Sequence, residues 1–347
     1  MLVIDGSFGE GGGQILRTTL ALSALTGTKV KIVNIRAKRP NPGLQPQHIA
    51  AVRAVAEFTE AEVTGLEPLS KEIEFSPKAI KRGELSVNVG TAGSVTLILQ
   101  SLMPTLLKAP SSVKLILSGG TDVNWSPPFN YLSEVHLALL QKFGYQGRIS
   151  LLKRGYYPKG GGRIKAEFHP ARIEPITIKE RPQISNIRGV SFAEDRLMPA
   201  KVAERQALAA LKVLQKRFPS FKIEIKEEYG RSLSLGSGIV VWVETKTTIL
   251  GADSLGQKGK RAEKVGEEAA RDLISELDSG ACLDRFMADQ IVPYLALAGG
   301  EATVSQATGH ALTNIEVVKK FGFDVIIERN TIIAKGLKAS YRKKFAT

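Results

Sequence analysis

The chain repeats itself, and that constrains its fold more than any motif does. A helical pattern, a turn of glycine or small residues and a strand pattern recur at about 14–35, 47–64, 94–117, 130–152, 285–304 and 313–328. One echo is visible residue by residue. Gln141-Lys142-Phe143-Gly144-Tyr145 matches Lys319-Lys320-Phe321-Gly322-Phe323, each closing a helix ahead of a strand. A unit of this size cannot bury its apolar face alone, so the copies must pack on one another. Six helix–strand pairs predict three units of two helices and one small sheet. The units are long and irregular, which predicts a compact pseudo-threefold α/β (α+β) domain and not a solenoid.

One stretch breaks the period. Residues 183–277 read as strand 187–192, helix 199–218, strands 222–226, 238–245 and 248–251, and helix 261–277. This predicts a smaller α/β domain inserted in a loop. Repeats one and two then occupy 1–182, the third repeat 278–338, and a basic tail 339–347.

At 347 residues with 43% hydrophobic and 24% charged side chains, there is ample material for a buried core. No run approaches the roughly 18 apolar residues of a membrane helix, and the first residues carry neither a basic start nor an apolar stretch. A cytoplasmic location is expected. The single Cys282 excludes an internal disulfide framework and a Cys-cluster zinc site. The formal net charge of +14 points to a polyanionic partner, nucleic acid first. A uniformly Lys/Arg-rich thermophile surface would give the same excess.

Two stretches carry the chemistry. The first is a strand at 2–5 followed by Gly6-Ser7-Phe8-Gly9-Glu10-Gly11-Gly12-Gly13 and a helical run. Glycines at this density before a helix let backbone amides approach a phosphate closely. The P-loop pattern is absent, and G-x-G-x-x-G fits poorly. Gln14 and Arg17 share one helical face looking back at the glycines. Glu10 is a carboxylate in a loop that invites anions, which a bridging Mg²⁺ would reconcile; a solvated or capping acid is the plain alternative. The second stretch is 305–318, where His310 precedes a helix whose start is expected at the Thr313–Glu316 capping box. The helix dipole lowers an imidazole's pKa and keeps it neutral, as a nucleophile at phosphorus must be. Read alone, the stretch favours a half-buried packing histidine.

Other chemistries lack their residues. There is no G-x-S-x-G elbow, no H-E-x-x-H among the scattered histidines, and no K-x-D-G ligase motif. The set that does occur is GEGGGQILR, IRAKRPNPGLQPQH, GTAGSVTLILQ, SGGTD, GYYPKGGG, FMADQIVPYLALAGG and GHALTNIEVV, in order and across almost the whole chain. In this the sequence closely resembles the RNA 3′-terminal phosphate cyclases. The resemblance implies three two-helix, four-stranded-sheet repeats with a smaller domain inserted before the third. It implies a reaction with ATP and a divalent metal, Mg²⁺ or Mn²⁺, at RNA 3′-phosphate ends. In that reaction the histidine matching His310 forms a phosphoramidate with AMP and passes the AMP to the RNA phosphate. The neighbouring 2′-hydroxyl then closes a 2′,3′-cyclic phosphate.

By resemblance, Glu10 is the metal ligand, Gln14 and Arg17 contact phosphate, and Gln47 and Gln100 line the nucleotide site. Phe286, standing where relatives often carry tyrosine, would clamp the adenine with Pro127 or Pro128 and Tyr131. Asp289 and Gln290 would hold the nucleoside or its phosphate. Arg36 and Arg39 are expected to fork the RNA phosphate, although they read equally as a surface charge cluster. No membrane partner is expected, and a homo-oligomer is compatible with the chain. The alternative function is a non-catalytic relative in ribosome biogenesis, which would lack the histidine; GHALTN is intact here. An enolpyruvyl-class carboxyvinyl transferase would share the repeats but form no histidine adduct.

Overall fold

A computed structural model describes residues 1–81 and 83–337, so the tail expected at 339–347 lies outside the described residues. The first repeat runs β1 (Leu2–Asp5), α1 (Gly13–Thr26), β2 (Val30–Val33), α2 (Pro46–Phe58), β3 (Glu62–Thr64) and β4 (Ile73–Ser76). The second runs β5 (Gly83–Asn88), α3 (Val95–Leu106), β6 (Val113–Gly119), α4, β7 (Gly147–Lys153) and β8 (Gly162–Phe168). Here α4 is a π-helical segment, Tyr131–Leu137, continuing as α-helix Ala138–Gln141. The third opens with β9 (Ile176–Ile178) and is at once interrupted by β10 (Ile184–Glu194), α5 (Val202–Arg217), β11 (Ile223–Gly230), β12 (Ser237–Thr245), β13 (Ile249–Leu255) and α6 (Ala262–Asp278). It resumes with α7 (Met287–Gln290), α8 (Val292–Ala298), β14 (Gly300–Thr303), α9 (Gly309–Lys320), β15 (Val325–Glu328) and β16 (Thr331–Ala334).

The three repeats build one sheet topology three times: β1-β2-β4-β3, β5-β6-β8-β7 and β9-β14-β16-β15. In each, the first two strands are parallel and the remaining pairs antiparallel. This bears out the α/β repeat fold and corrects one expectation. The insertion does not precede the third repeat; it interrupts it, because β9 pairs with β14 across the whole inserted segment. That pairing is long-range and leaves no local pattern to read.

The inserted sheet, β11-β10-β12-β13, is less independent than expected. One face packs on α5 and α6 around Val241, Val243, Leu250 and Leu273. The other, through Val190, Phe192, Val240 and Trp242, joins the core shared by the three repeats. Two covered faces explain the unbroken apolar run Ile239-Val240-Val241-Trp242-Val243, every residue of which is buried. Likewise α1, crossed by α2, α3 and α9, is apolar nearly all round and buried along its length from Ile15 onward save Arg17. No described helix is long and apolar enough to cross a membrane.

Candidate active site

The glycine loop of the first repeat and the start of α9 in the third meet face to face. His310 Nε2 lies 3.2 Å from Glu10 Oε2, and Arg39 Nη2 lies 3.6 Å from the same oxygen. Gln14 donates from Nε2 to the His310 carbonyl at 2.8 Å. The approach depends on missing side chains. A Cβ on Gly309 would fall 2.3 Å from Glu10 Oε1, and one on Gly13 would fall 2.4 Å from His48 Nε2. Gly9 has φ +54 and faces Thr313 Oγ1, so both its conformation and its neighbour require glycine.

The local structure of α9 differs from expectation. Its N-cap is Thr308, whose hydroxyl accepts from the Ala311 amide at 3.1 Å. His310 is therefore the second helical residue, not a loop residue ahead of the helix. The expected Thr313–Glu316 box does not form. Thr313 donates its hydroxyl to the Gly309 carbonyl, and Glu316 pairs with Lys319. Thr-Gly-His begins the helix because a Thr with extended backbone (φ −68, ψ 154) can cap it one turn earlier. The helix dipole acts on the imidazole at close range, since the ring sits within the first turn.

Burial lowers the His310 pKa. Glu10 works the other way, while Arg17 and Arg39 add to the lowering. The ring is neutral at physiological pH. His48, buried beside Arg17 and Arg36, is pushed down to about 3, chiefly by burial. Its Nδ1 accepts from the Gln45 amide that starts α2, so the proton sits on the Nε2 that faces Gly13. Arg17 falls only to about 10 and stays cationic, and Asp289 rises to about 7 through burial, with Arg17 opposing.

Behind His310 lies a cavity of about 40 Å³ lined by Gln14, Arg17, Gln100, His136, Asp289 and Gln290, among others. Gln100 donates to Gln290 at 2.7 Å. Gln14 Oε1 and the Tyr294 hydroxyl have no hydrogen-bond partner there. Each such buried group costs about 1–3 kcal/mol, so the cavity is built to be completed by a polar occupant. His136 and Tyr294 line this cavity without being among the expected site residues. His136 reads as a packing residue inside a helical pattern, and only its place in the π-helical turn of α4 gave a signal.

The other expected residues divide. Gln47 accepts from the Ser94 amide at 3.2 Å, one step back from the site. Asp289 and Gln290 end the short α7, and Pro293 lies at the start of the separate α8. Tyr131 is buried and donates to Asp284 at 2.6 Å, so it cannot lie flat against an adenine. Its ring instead meets Phe286 edge-on at 6.0 Å, leaving Phe286 as the exposed face. Thr96 holds the Pro127 carbonyl at 2.8 Å, and Pro128 is buried. Arg36 and Arg39 do not form a fork: Arg36 donates to the Asn41 and Gly43 carbonyls of its own loop. Among the described residues no three His, Cys, Asp or Glu side chains gather as a metal cluster.

Comparison with known proteins identifies the family. The family profile described as RNA 3′-terminal phosphate cyclase matches residues 8–327. Proteins of that name are similar over nearly full length. The one from Pyrococcus furiosus is 48% identical over 99% of both chains. That from Pyrococcus abyssi is 49% identical over 92% of this chain and 93% of its own, and that from Ignicoccus hospitalis is 51% identical over 92% of each. The chain belongs to the RNA 3′-terminal phosphate cyclase family.

Proposed function

We propose that this chain is an ATP-dependent RNA 3′-terminal phosphate cyclase acting through a His310–AMP intermediate. The observation that carries the reading is an imidazole in the first turn of α9, 3.2 Å from Glu10 and facing the glycine loop at the start of α1. In the first step a ring nitrogen attacks the α-phosphorus of ATP and pyrophosphate leaves. A 3′-phosphate oxygen of the RNA then takes the AMP and frees the histidine. The 2′-hydroxyl attacks the activated phosphorus, loses its proton and expels AMP.

Every step is a displacement at phosphorus, so orientation and charge neutralisation dominate. Arg17 stays charged beside the phosphates, the α1 amides face them, and Gln14 fixes the His310 backbone. Glu10 stands 3.2 Å from Nε2, so attack from that nitrogen requires the carboxylate to move aside. A divalent metal fits this donor set: Mg²⁺ is commonly held by one or two carboxylates with substrate phosphates completing the shell, and Glu10 is one such carboxylate. Bound there, Mg²⁺ or Mn²⁺ would neutralise phosphate charge. Phe286 and Pro127 take the adenine, Gln100, Asp289 and Gln290 the nucleoside, and Arg39, with the Arg36 loop beneath it, the RNA phosphate. Action in the cytoplasm and assembly into a homo-oligomer fit the same reading.

Incubation with α-labelled ATP and metal tests it directly. An acid-labile protein–AMP adduct that His310→Ala lacks is expected; a wild-type protein without an adduct overturns it.

A further inference from the structure

Among the described residues four aromatic rings are exposed: Phe8, Trp125, Tyr157 and Phe286. Phe8 lies on the glycine loop and Phe286 beside the nucleotide site. The other two have no part in the chemistry above, yet they are the barest of the four, Trp125 at 97% and Tyr157 at 76% exposure. Trp125 is also held at φ +66, a conformation that bulky residues rarely adopt. An indole displayed on a strained turn calls for a partner.

Both rings stand on turns joined to the site. Trp125 lies between Asp122, whose amide and that of Thr121 bond the Gly155 carbonyl, and Pro127, which Thr96 holds. Tyr157 lies on the β7–β8 hairpin, whose Gly160 abuts Thr91 and Ala92. The same turn continues to Gly93 and Ser94, which touch Gln47. On its far side the hairpin locks onto the inserted unit. Lys159 N–H donates to Ser234 Oγ at 3.1 Å, and Gly161 packs against Leu233, itself half exposed. Lys153, Lys159 and Arg163 around the hairpin are exposed and form no ion pair with a described residue.

We propose that this surface holds the single-stranded RNA leading to the reacting 3′ end, with bases stacked on Trp125 and Tyr157 and phosphates beside Lys159 and its neighbours. Exposed rings next to unpaired cations suit unpaired bases of any sequence, whereas a duplex hides its base faces. The inserted unit thereby forms the far wall of the strand's path. The proposal rests on the RNA-end reading above but concerns a surface outside the reacting groups.

The test compares a twelve-nucleotide single-stranded RNA 3′-phosphate with a dinucleotide 3′-phosphate on the full chain, in wild type, Trp125→Ala, Tyr157→Ala, the double variant and Lys159→Ala. Each ring removed should weaken the twelve-mer roughly five- to a hundredfold in Kd. Dinucleotide KM and His310 adenylylation should not change. Lys159→Ala should reduce the slope of log Kd against log salt by about 0.7 for a single-strand contact. An unchanged twelve-mer affinity, or an equal loss with the dinucleotide, overturns the proposal. So does a double variant that changes sedimentation instead, since the rings would then serve a second copy of the chain. Should wild type form no adenylyl adduct, the catalytic reading fails while twelve-mer binding still decides the surface.

Discussion

Two seams join distant parts of this chain, and they are built on opposite principles. At the seam between the glycine loop and α9, Glu10, His310 and Arg39 meet with roughly 40% of each side chain exposed, at distances of 3.2 and 3.6 Å. At the seam between the second repeat and the inserted unit, Arg154 is 4% exposed and bonded through both terminal nitrogens. It donates to Asp122, to Asn130 at 2.8 Å and to Glu228 at 2.7 Å, and its guanidinium covers the Phe192 ring at 3.8 Å. A buried charge answered on both of its terminal nitrogens holds parts together. Charges left loosely paired around an orphaned polar cavity wait for something else. The number of unanswered groups, not the number of charges, separates the reacting seam from the structural one.

The sharpest way to break this contrast is to remove one residue from each seam. His310→Ala should lower adenylylation by on the order of 10³-fold or more, as expected for loss of a nucleophile, and leave the melting midpoint nearly unchanged. Arg154→Met should do the reverse. It strands the buried Asp122 carboxylate and should cost about 3–5 kcal/mol in denaturant unfolding, with adenylylation per folded molecule retained. A loss under about 1 kcal/mol would place Arg154 among ordinary surface pairs.

Smaller effects refine the reacting seam. Glu10→Gln should raise the Mg²⁺ concentration needed for half-maximal adenylylation, read by titration; an unchanged titration removes Glu10 from the metal role. The pH profile gives the finest distinction. Since burial lowers the His310 pKa below 6.5, adenylylation should hold through mildly acidic pH and fall only as the ring protonates beneath that value. Glu10 raises that pKa, so Glu10→Gln should move the acid limb to still lower pH. A limb that moves up contradicts the contact.

Much of this was legible in the sequence, because the repeat and the glycine loop are local patterns. Helices with an apolar stripe, such as α2 and α9, announce themselves. What escaped depends on partners far along the chain. β4 and β9 are short strands, four and three residues long, without enough alternation to stand out. The start of the third repeat was misplaced for the same reason. At the site, Glu10, Arg39 and Gln14 lie beside His310, and Arg17 lines the cavity behind it, whereas Tyr131 turns inward because Asp284 offers its hydroxyl a buried acceptor. Nothing in the residues near Tyr131 foretells a partner 153 positions away.

The interruption of the third repeat has a consequence for how the chain reaches its native state. β9 leaves the ribosome about 120 residues before the strand it must pair with, so it waits. Closing a flexible loop of about 120 residues costs roughly 1.4 kcal/mol more than closing about 25. That smaller figure is what remains once the inserted unit has folded on its own helices. Because β14, β15 and β16 are made after every other strand, the third sheet closes last and brings His310 to a glycine loop made first. An unfinished chain therefore cannot carry the complete site.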